Sequence, residues 1–144
     1  MDLDKFIAEE VRHYYHVEDI HCTHTTLNIL SKLFDHKINQ QVMDAAEGMH
    51  GAGLYGAQCG LAEGAMMFIG LYGKSNGLTG EDIGSLCCEF ANGFEEKLGS
   101  LVCKELRPEG FKPSNPPHLC EPRTNEAIKY AAEFTAEVFT IELK

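Results

Sequence analysis

Six cysteine residues carry most of the chemistry that this sequence of 144 residues offers. Thiolates are nucleophiles and metal ligands, so a set of this size indicates thiol redox chemistry or metal binding. No pair has the C-x-x-C spacing typical of thioredoxin-like sites, zinc ribbons or c-type haem attachment, which weakens each of those interpretations. The cysteines are Cys22, Cys59, Cys87, Cys88, Cys103 and Cys120.

Cys59 has the most favourable position of these cysteines for reactivity. It lies in the segment GAGLYGAQCGLAEGAMMFIGLYG, residues 51–73, after a glycine-rich turn and at the start of a predicted helix. A thiol at a helix N-terminus faces unpaired backbone N–H groups and the positive end of the helix dipole, and both favour the thiolate. We therefore predict that Cys59 is a reactive, catalytic thiol.

Glycines in the same segment recur at every fourth residue, at Gly56, Gly60 and Gly64. In a helix they form a smooth stripe that a neighbouring helix or a ligand can approach closely, so we predict them as cofactor-binding positions. Gly51, Gly53 and Gly56 also match the G-x-G-x-x-G pattern of dinucleotide sites. A helix rather than a strand is predicted before them, which argues against a Rossmann site.

Several histidines surround the first cysteine. His13, His16, His21 and His24 lie within nine residues of Cys22. A metal ion would find imidazole and thiolate ligands here. Because the spacing fits no standard site, we expect instead that these histidines are solvated residues around a turn between helices.

Apolar residues recur at helical spacing along most of the chain, which predicts an all-α fold, a single-domain helical bundle of five to six helices over residues 1–144. All five prolines fall between Pro108 and Pro122, which predicts a proline-rich loop near the C-terminus. The helical spacing also places Cys87 in the core, as an inert thiol. The predicted helices cover residues 2–15, 23–35, 39–50, 58–72, 81–98 and 124–143.

Charge limits the classes of partner. The formal net charge is −10, from 22 acidic and 12 basic residues, which argues against nucleic acid and anionic membranes as partners.

Residues 1–15 are amphipathic and acidic, without the features of a signal peptide, so we expect a cytoplasmic location. Glu63 in the middle of the apolar segment argues against a membrane span. A disulfide in the cytoplasm is usually catalytic or redox-sensing.

The order of Cys22, the glycine-rich Cys59 segment, Cys103 within CKEL, and Cys120 resembles the family of small proteins named for its C…GCAxxG…C…C pattern. The resemblance covers most of the chain between the first and last of these cysteines, although Gln58 stands where the family name has glycine. It implies a helical fold and a redox or metal role, and no particular substrate. It also implies these four cysteines as candidate metal ligands.

Two functions use these cysteines directly. The first is a thiol oxidoreductase or other thiol–disulfide protein in which Cys59 reacts, Cys22 or another family cysteine resolves, and a redox partner protein exchanges electrons. The second is a metal-binding protein in which the four thiolates, with His24, His118 or Glu63, hold zinc, copper or an iron–sulfur cluster.

A third function belongs to another class. The chain would be a homo-oligomeric helical interaction module whose cysteines are small buried hydrophobic residues. We rank thiol redox chemistry ahead of metal binding. We also expect the cysteines to line a partly buried pocket beside the turn at residues 51–64.

Overall fold

The computed structural model describes residues 1–143. Within them 65% of the chain is helical and no strand is present, which confirms the predicted all-α fold. Eight helices are found in this part of the chain rather than five or six. Two of the additional helices, α4 and α7, have four residues each, too short to produce an apolar periodicity in the sequence. The helices are α1 (Leu3–His16), α2 (Cys22–Leu33), α3 (Gln40–Ala45), α4 (Gly51–Leu54), α5 (Gly60–Ser75), α6 (Gly80–Leu98), α7 (Cys103–Leu106) and α8 (Glu121–Val138).

Helix α1 covers one side of the fold. Its first turn is capped by Asp2, whose carboxylate accepts a hydrogen bond of 3.1 Å from the backbone N–H of Lys5. Its apolar stripe packs against α2 and α8, and this burial holds the helix in place. The buried residues of this cluster are Ile7, Val11, Tyr14, Tyr15, Ile29 and Ile128.

Helices α2 and α5 pack closely at the glycine stripe. A Cβ atom at Gly64 would lie 2.9 Å from the backbone oxygen of Thr23, and one at Gly60 would overlap with Cys22 Sγ and with Thr23 Oγ1. Side chains larger than hydrogen at these two positions would push the helices apart. The stripe therefore brings the start of α2, with Cys22, against the start of α5, which follows Cys59.

Helix α6 begins at a capping box. Thr79 Oγ1 accepts from the backbone N–H of Asp82 at 3.1 Å, and the Asp82 carboxylate accepts from the backbone N–H of Thr79 at 3.0 Å, so Thr79 is the capping residue. Phe90 and Phe94 are buried, and Tyr130 of α8 donates a hydrogen bond to the Phe90 carbonyl at 3.1 Å. These contacts fix α6 against α8.

Residues 107–120 connect α7 to α8 through turns and bends. Helix α8 begins at Glu121, earlier than predicted, and takes Pro122 into its first turn. A proline is tolerated there because an N–H at that position would have no intrahelical partner. None of the helices within residues 1–143 combines the length and the apolar character needed to cross a lipid bilayer.

Candidate functional site: a cavity lined by four cysteines

The largest group of reactive side chains surrounds a cavity of about 310 Å³. Four of the six cysteines line it, and they are the four that the sequence selected: Cys22, Cys59, Cys103 and Cys120. We refer to it as the four-cysteine cavity. The remaining wall residues are Tyr15, Asp19, Ile20, His21, His50, Leu54, Gly60, Leu61, Arg107, Phe111 and His118. Cys87 and Cys88 lie on α6; Cys87 packs against the core and Cys88 is exposed.

Each of these four cysteines lies at the N-terminal end of a helix. Cys22 and Cys103 are the first residues of α2 and α7, and Cys59 and Cys120 are the N-cap residues of α5 and α8. Helix N-termini present unpaired N–H groups and a partial positive charge. The ends of α2, α5 and α8, helices of 12, 16 and 18 residues, therefore make the cavity favourable for negative charge. The sequence predicted this placement for Cys59.

Backbone hydrogen bonds join the Cys59 segment to the Cys103 segment. The N–H of Cys59 donates to the Leu101 carbonyl at 2.7 Å, and the N–H of Cys103 donates to the Ala57 carbonyl at 2.6 Å. Between them, Gln58 forms an antiparallel bridge with Val102. These bonds hold Cys59 and Cys103 at neighbouring places in the wall, although they lie 44 positions apart in the sequence.

A left-handed turn precedes the Cys59 segment. Gly51, Ala52, Gly53 and Leu54 have φ angles of +64°, +55°, +67° and +69°, so α4 is a single turn of left-handed backbone. Such a conformation is unfavourable for Ala52 and Leu54. A Cβ atom at Gly51 would lie 2.9 Å from Cys103 Sγ, so glycine is needed there for space as well as for its φ angle.

Burial determines the protonation of the two inner thiols. Cys59 is 6% exposed, and burial raises its pKa to about 11 although the backbone N–H groups of Leu61 and Ala62 lower it. Burial and, next, the charge of Cys59 raise the pKa of Cys22 to about 12. The loss of hydration thus outweighs the helix N-terminus. The thiolate that the sequence predicted at Cys59 is therefore not its resting form at neutral pH.

Two arginines bring positive charge to the other two cysteines. Burial raises the pKa of Cys103, and the Arg107 guanidinium opposes that effect. Arg107 is held in the wall because its Nε donates to the Gly110 carbonyl at 2.6 Å. Arg123 Nη1 donates to Cys120 Sγ at 3.7 Å. The sequence contained no signal for either arginine, because both contacts depend on the path of residues 107–120.

Tyr15 and His118 close one side of the cavity. Their rings stack with centroids 4.3 Å apart. The Tyr15 hydroxyl shares a hydrogen bond of 2.6 Å with Thr124 Oγ1, and His118 Nε2 lies 2.7 Å from the Asp19 carboxylate. Burial and the nearby charge of Cys22 raise the pKa of Tyr15 well above its usual value. His118, which the sequence predicted as a possible metal ligand, is thus paired with Asp19.

The histidines near Cys22 divide into two groups. His13 and His16 have side chains that are 49% and 44% exposed, as predicted for solvated residues. His21 and His24 are instead half-buried and stacked, with ring centroids 4.1 Å apart. The ring of His50, which sequence reasoning did not select, stacks on the other face of His21 at 4.2 Å.

Of the predicted glycine positions, Gly60 lines the four-cysteine cavity. Gly64 faces α2, and a Cβ atom at Gly56 would lie 2.9 Å from the Cβ atom of Lys104. Glu63 lies outside this cavity, on a small cleft with Met49, and burial raises its pKa. Close packing thus accounts for all three glycines, and Gly60 in addition lines the cavity.

Within residues 1–143, no three of the cysteine sulfur atoms all lie within 4.8 Å of one another. Bonds of about 2.3 Å from zinc to sulfur place the sulfurs about 3.8 Å apart. Within residues 1–143, the one group of three or more potential ligands whose ligand atoms all lie within 4.8 Å of each other contains no cysteine.

The fold and the cavity together describe a small helical protein with a clustered set of thiols. Residues 20–134 match the model of the family described as "Putative redox-active protein (C_GCAxxG_C_C)", and the chain belongs to this family. Comparison with curated proteins and with solved structures finds no significant match.

Proposed function

We propose that the protein is a thiol–disulfide redox protein whose four-cysteine cavity forms a reversible disulfide centred on Cys59. The observation that carries the proposal is the convergence of four cysteines, from four separate segments, on one cavity at helix N-termini. Membership in a redox-active family supports it. We further propose that residues 1–144 act as one domain in the cytoplasm, with a redox partner protein and without nucleic acid or membrane.

The first step uses Cys103, one of the two thiols that have an arginine beside them. Cys103 is partly exposed and has Arg107 beside it, so its thiolate is more accessible than the buried Cys59. The Cys103 thiolate attacks one sulfur of the partner's disulfide. A bond forms between Cys103 and that sulfur, the partner's disulfide bond breaks, and the second partner sulfur leaves as a thiolate that takes up a proton.

Cys59 then resolves this mixed disulfide. It loses its proton and attacks Cys103 Sγ, which releases the partner sulfur that was bonded to Cys103 as a thiolate that takes up a proton, and leaves a disulfide between Cys59 and Cys103. Their segments are already joined by hydrogen bonds of 2.6 and 2.7 Å. Two electrons and two protons have passed to the partner, which is now a dithiol.

Cys22 provides a third step. Its sulfur lies against Gly60, the residue after Cys59. Attack of Cys22 on Cys59 Sγ forms a disulfide between Cys22 and Cys59 and returns Cys103 to the thiol. The disulfide then lies in the deepest part of the cavity, and Cys59 and Cys22 are the catalytic pair. Gly60 contributes by allowing this close approach.

Trapping tests the order of these steps. With glutathione disulfide as the oxidant, Cys59→Ser accumulates a mixed disulfide on Cys103, because the resolving thiol is missing. Cys88→Ser, which removes an exposed thiol outside the cavity, behaves like the unmodified protein. Peptide mass spectrometry locates the adduct. Rapid closure of an intramolecular disulfide in Cys59→Ser would contradict the proposal.

An iron–sulfur cluster is the second candidate, and the donor set favours it over a single ion. Four cysteine thiolates are the usual ligands of such clusters. A cluster of several iron atoms also accepts sulfurs more widely spaced than one ion does, which agrees with the absence of cysteines from the close ligand group in residues 1–143. When bound, a cluster supplies one-electron transfer; the four cysteines would hold it, and the helix N-termini would offset its negative charge.

Anaerobic purification distinguishes the two candidates. A cluster gives visible absorbance with stoichiometric iron and sulfide, and Cys59→Ser loses both whereas Cys88→Ser keeps them. Colourless, iron-free protein that forms the reversible disulfide supports the thiol mechanism.

A further inference from the structure

A second group of side chains includes His21, which also lines the four-cysteine cavity. His21 and His24 come from the start of α2, and Glu47 comes from the turn after α3. Their ligand atoms all lie within 4.8 Å of each other. The group contains two imidazoles and one carboxylate, the set that zinc and other divalent transition metals bind in many proteins.

The distances match those between ligands of one metal ion. Glu47 Oε2 lies 3.4 Å from His21 Nε2 and 3.5 Å from His24 Nε2. Both separations exceed the usual hydrogen-bond range of about 2.7–3.2 Å. In a tetrahedral site with bonds of about 2.0–2.1 Å, neighbouring ligand atoms lie about 3.3 Å apart. The distances from Glu47 Oε2 to the two ring nitrogens are therefore those expected when all three atoms bind one metal ion.

His21 provides an independent sign of a missing partner. Its Nε2 is buried and has no hydrogen-bond partner. Buried polar atoms without partners are uncommon in folded proteins. The ring is also fixed in orientation, since it is stacked between His24 at 4.1 Å and His50 at 4.2 Å. A ligand held in place before the metal arrives loses little freedom on binding.

We propose that His21, His24 and Glu47 form a binding site for one divalent transition metal ion, with zinc as the best fit, separate from the cysteine thiolates. Three protein ligands leave the fourth tetrahedral position for water. Binding through Nε2 moves the ring proton of each histidine to Nδ1. His24 then gives up its hydrogen bond to the Met43 carbonyl, and His21 gives up a long contact of 3.4 Å with the His24 N–H.

Titration of the reduced, anaerobic protein with Co²⁺, a spectroscopic substitute for zinc, tests the site. We expect one equivalent to bind with the visible bands of a tetrahedral nitrogen and oxygen site, without the near-ultraviolet bands of thiolate-to-cobalt charge transfer. Zn²⁺ displaces it. The Glu47 side chain is 74% exposed, so we expect Glu47→Gln to fold like the unmodified protein. This variant should bind Co²⁺ at least about tenfold more weakly.

A matched control separates ligation from general surface charge. Glu18 is also an exposed carboxylate beside a histidine, His13, so Glu18→Gln removes the same charge elsewhere and leaves Co²⁺ affinity unchanged. The proposal is overturned if no ion binds, if Glu47→Gln binds as tightly as the unmodified protein, or if Glu18→Gln weakens binding equally. Binding with thiolate charge-transfer bands that Cys59→Ser abolishes also overturns it and assigns the metal to the cysteines.

Discussion

Each sulfur of the four-cysteine cavity is subject to two opposing effects. Burial removes water and stabilises the neutral thiol, whereas helix N-termini and arginine side chains stabilise the thiolate. At Cys59, burial is the larger effect, and its pKa rises to about 11. At Cys103 the Arg107 guanidinium opposes burial. The residues near the surface are thus better suited to start an exchange, and the inner residues to store a disulfide.

Alkylation rates measure the difference in reactivity between the buried and the exposed thiols. A pKa of about 11 in place of the usual 9.0 leaves about a hundredfold less thiolate at neutral pH, so we expect iodoacetamide to modify Cys59 far more slowly than the exposed Cys88. The Cys59 rate should continue to rise with pH up to about 11. Mass spectrometry of timed samples measures both rates in one protein. Equal rates at neutral pH would show that burial does not raise the pKa of the Cys59 thiol.

The raised pKa also makes the stability of the reduced protein depend on pH. Below pH 9.0 the Cys59 thiol is neutral in the folded and unfolded chains; above it the unfolded chain loses the proton while the folded chain keeps it until about pH 11. The free energy of unfolding therefore falls across this window, by about 1.4 kcal/mol per pH unit from this thiol.

Urea unfolding under reducing conditions checks this dependence. Cys59→Ser should flatten the fall between pH 9.0 and about pH 11, and Cys88→Ser should leave it unchanged. An identical pH profile for all three proteins would mean that Cys59 titrates normally in the folded state.

At the scale of elements, the close contact between α2 and α5 positions two of the cysteines. A Cβ atom at Gly60 would overlap with Cys22 Sγ and lie 3.1 Å from the Cα atom of His50. We expect Gly60→Ala to reduce the free energy of unfolding by about 1–3 kcal/mol, the usual cost of overpacking. It should also slow disulfide formation, because Cys22 moves away from Cys59.

Gly70 provides the matched control on the same helix. No atom lies within 4 Å of a Cβ placed there, so Gly70→Ala adds helix propensity without a clash. It should stabilise the protein by up to about 1 kcal/mol. Thermal unfolding measures both variants. Equal effects of Gly60→Ala and Gly70→Ala would contradict the packing that brings α2 against α5.

The sequence was informative where a local pattern decides the structure. The helices α1, α2, α5 and α6 follow from apolar spacing. The left-handed turn at residues 51–54 and the four-residue helix α7 could not be predicted, because long-range contacts stabilise them against weak local preference. The sequence predicted a thiolate at Cys59, whereas burial raises its pKa to about 11. This burial depends on the whole fold, so it could not be predicted from the local sequence.

At the scale of the whole molecule, function depends on segments far apart in the chain. The cysteine at residue 22 and the one at residue 120 reach the same cavity because α1 and α2 both pack against α8. The sequence predicted which cysteines belong together through family resemblance, and it predicted a pocket beside the turn. It could not indicate Arg107, Arg123 or Tyr15, whose roles arise only from tertiary packing.

A homo-oligomer stays a prediction at this scale. The net charge of −10 opposes association of copies through charged surfaces, so an assembly would depend on apolar faces and persist at high salt. Sedimentation velocity at low and high ionic strength measures the mass of the particle. A monomer under both conditions would exclude the interaction module proposed as the third function.

The most direct test of the central proposal is the mass of the protein before and after mild oxidation. Protein purified without oxygen is treated with glutathione disulfide, denatured under acid and analysed intact and as peptides. We predict a loss of two hydrogens, a disulfide that joins Cys59 to another cysteine of the four-cysteine cavity, and full reversal by a reductant. Unchanged mass, or a disulfide that involves only Cys87 and Cys88, would contradict the account.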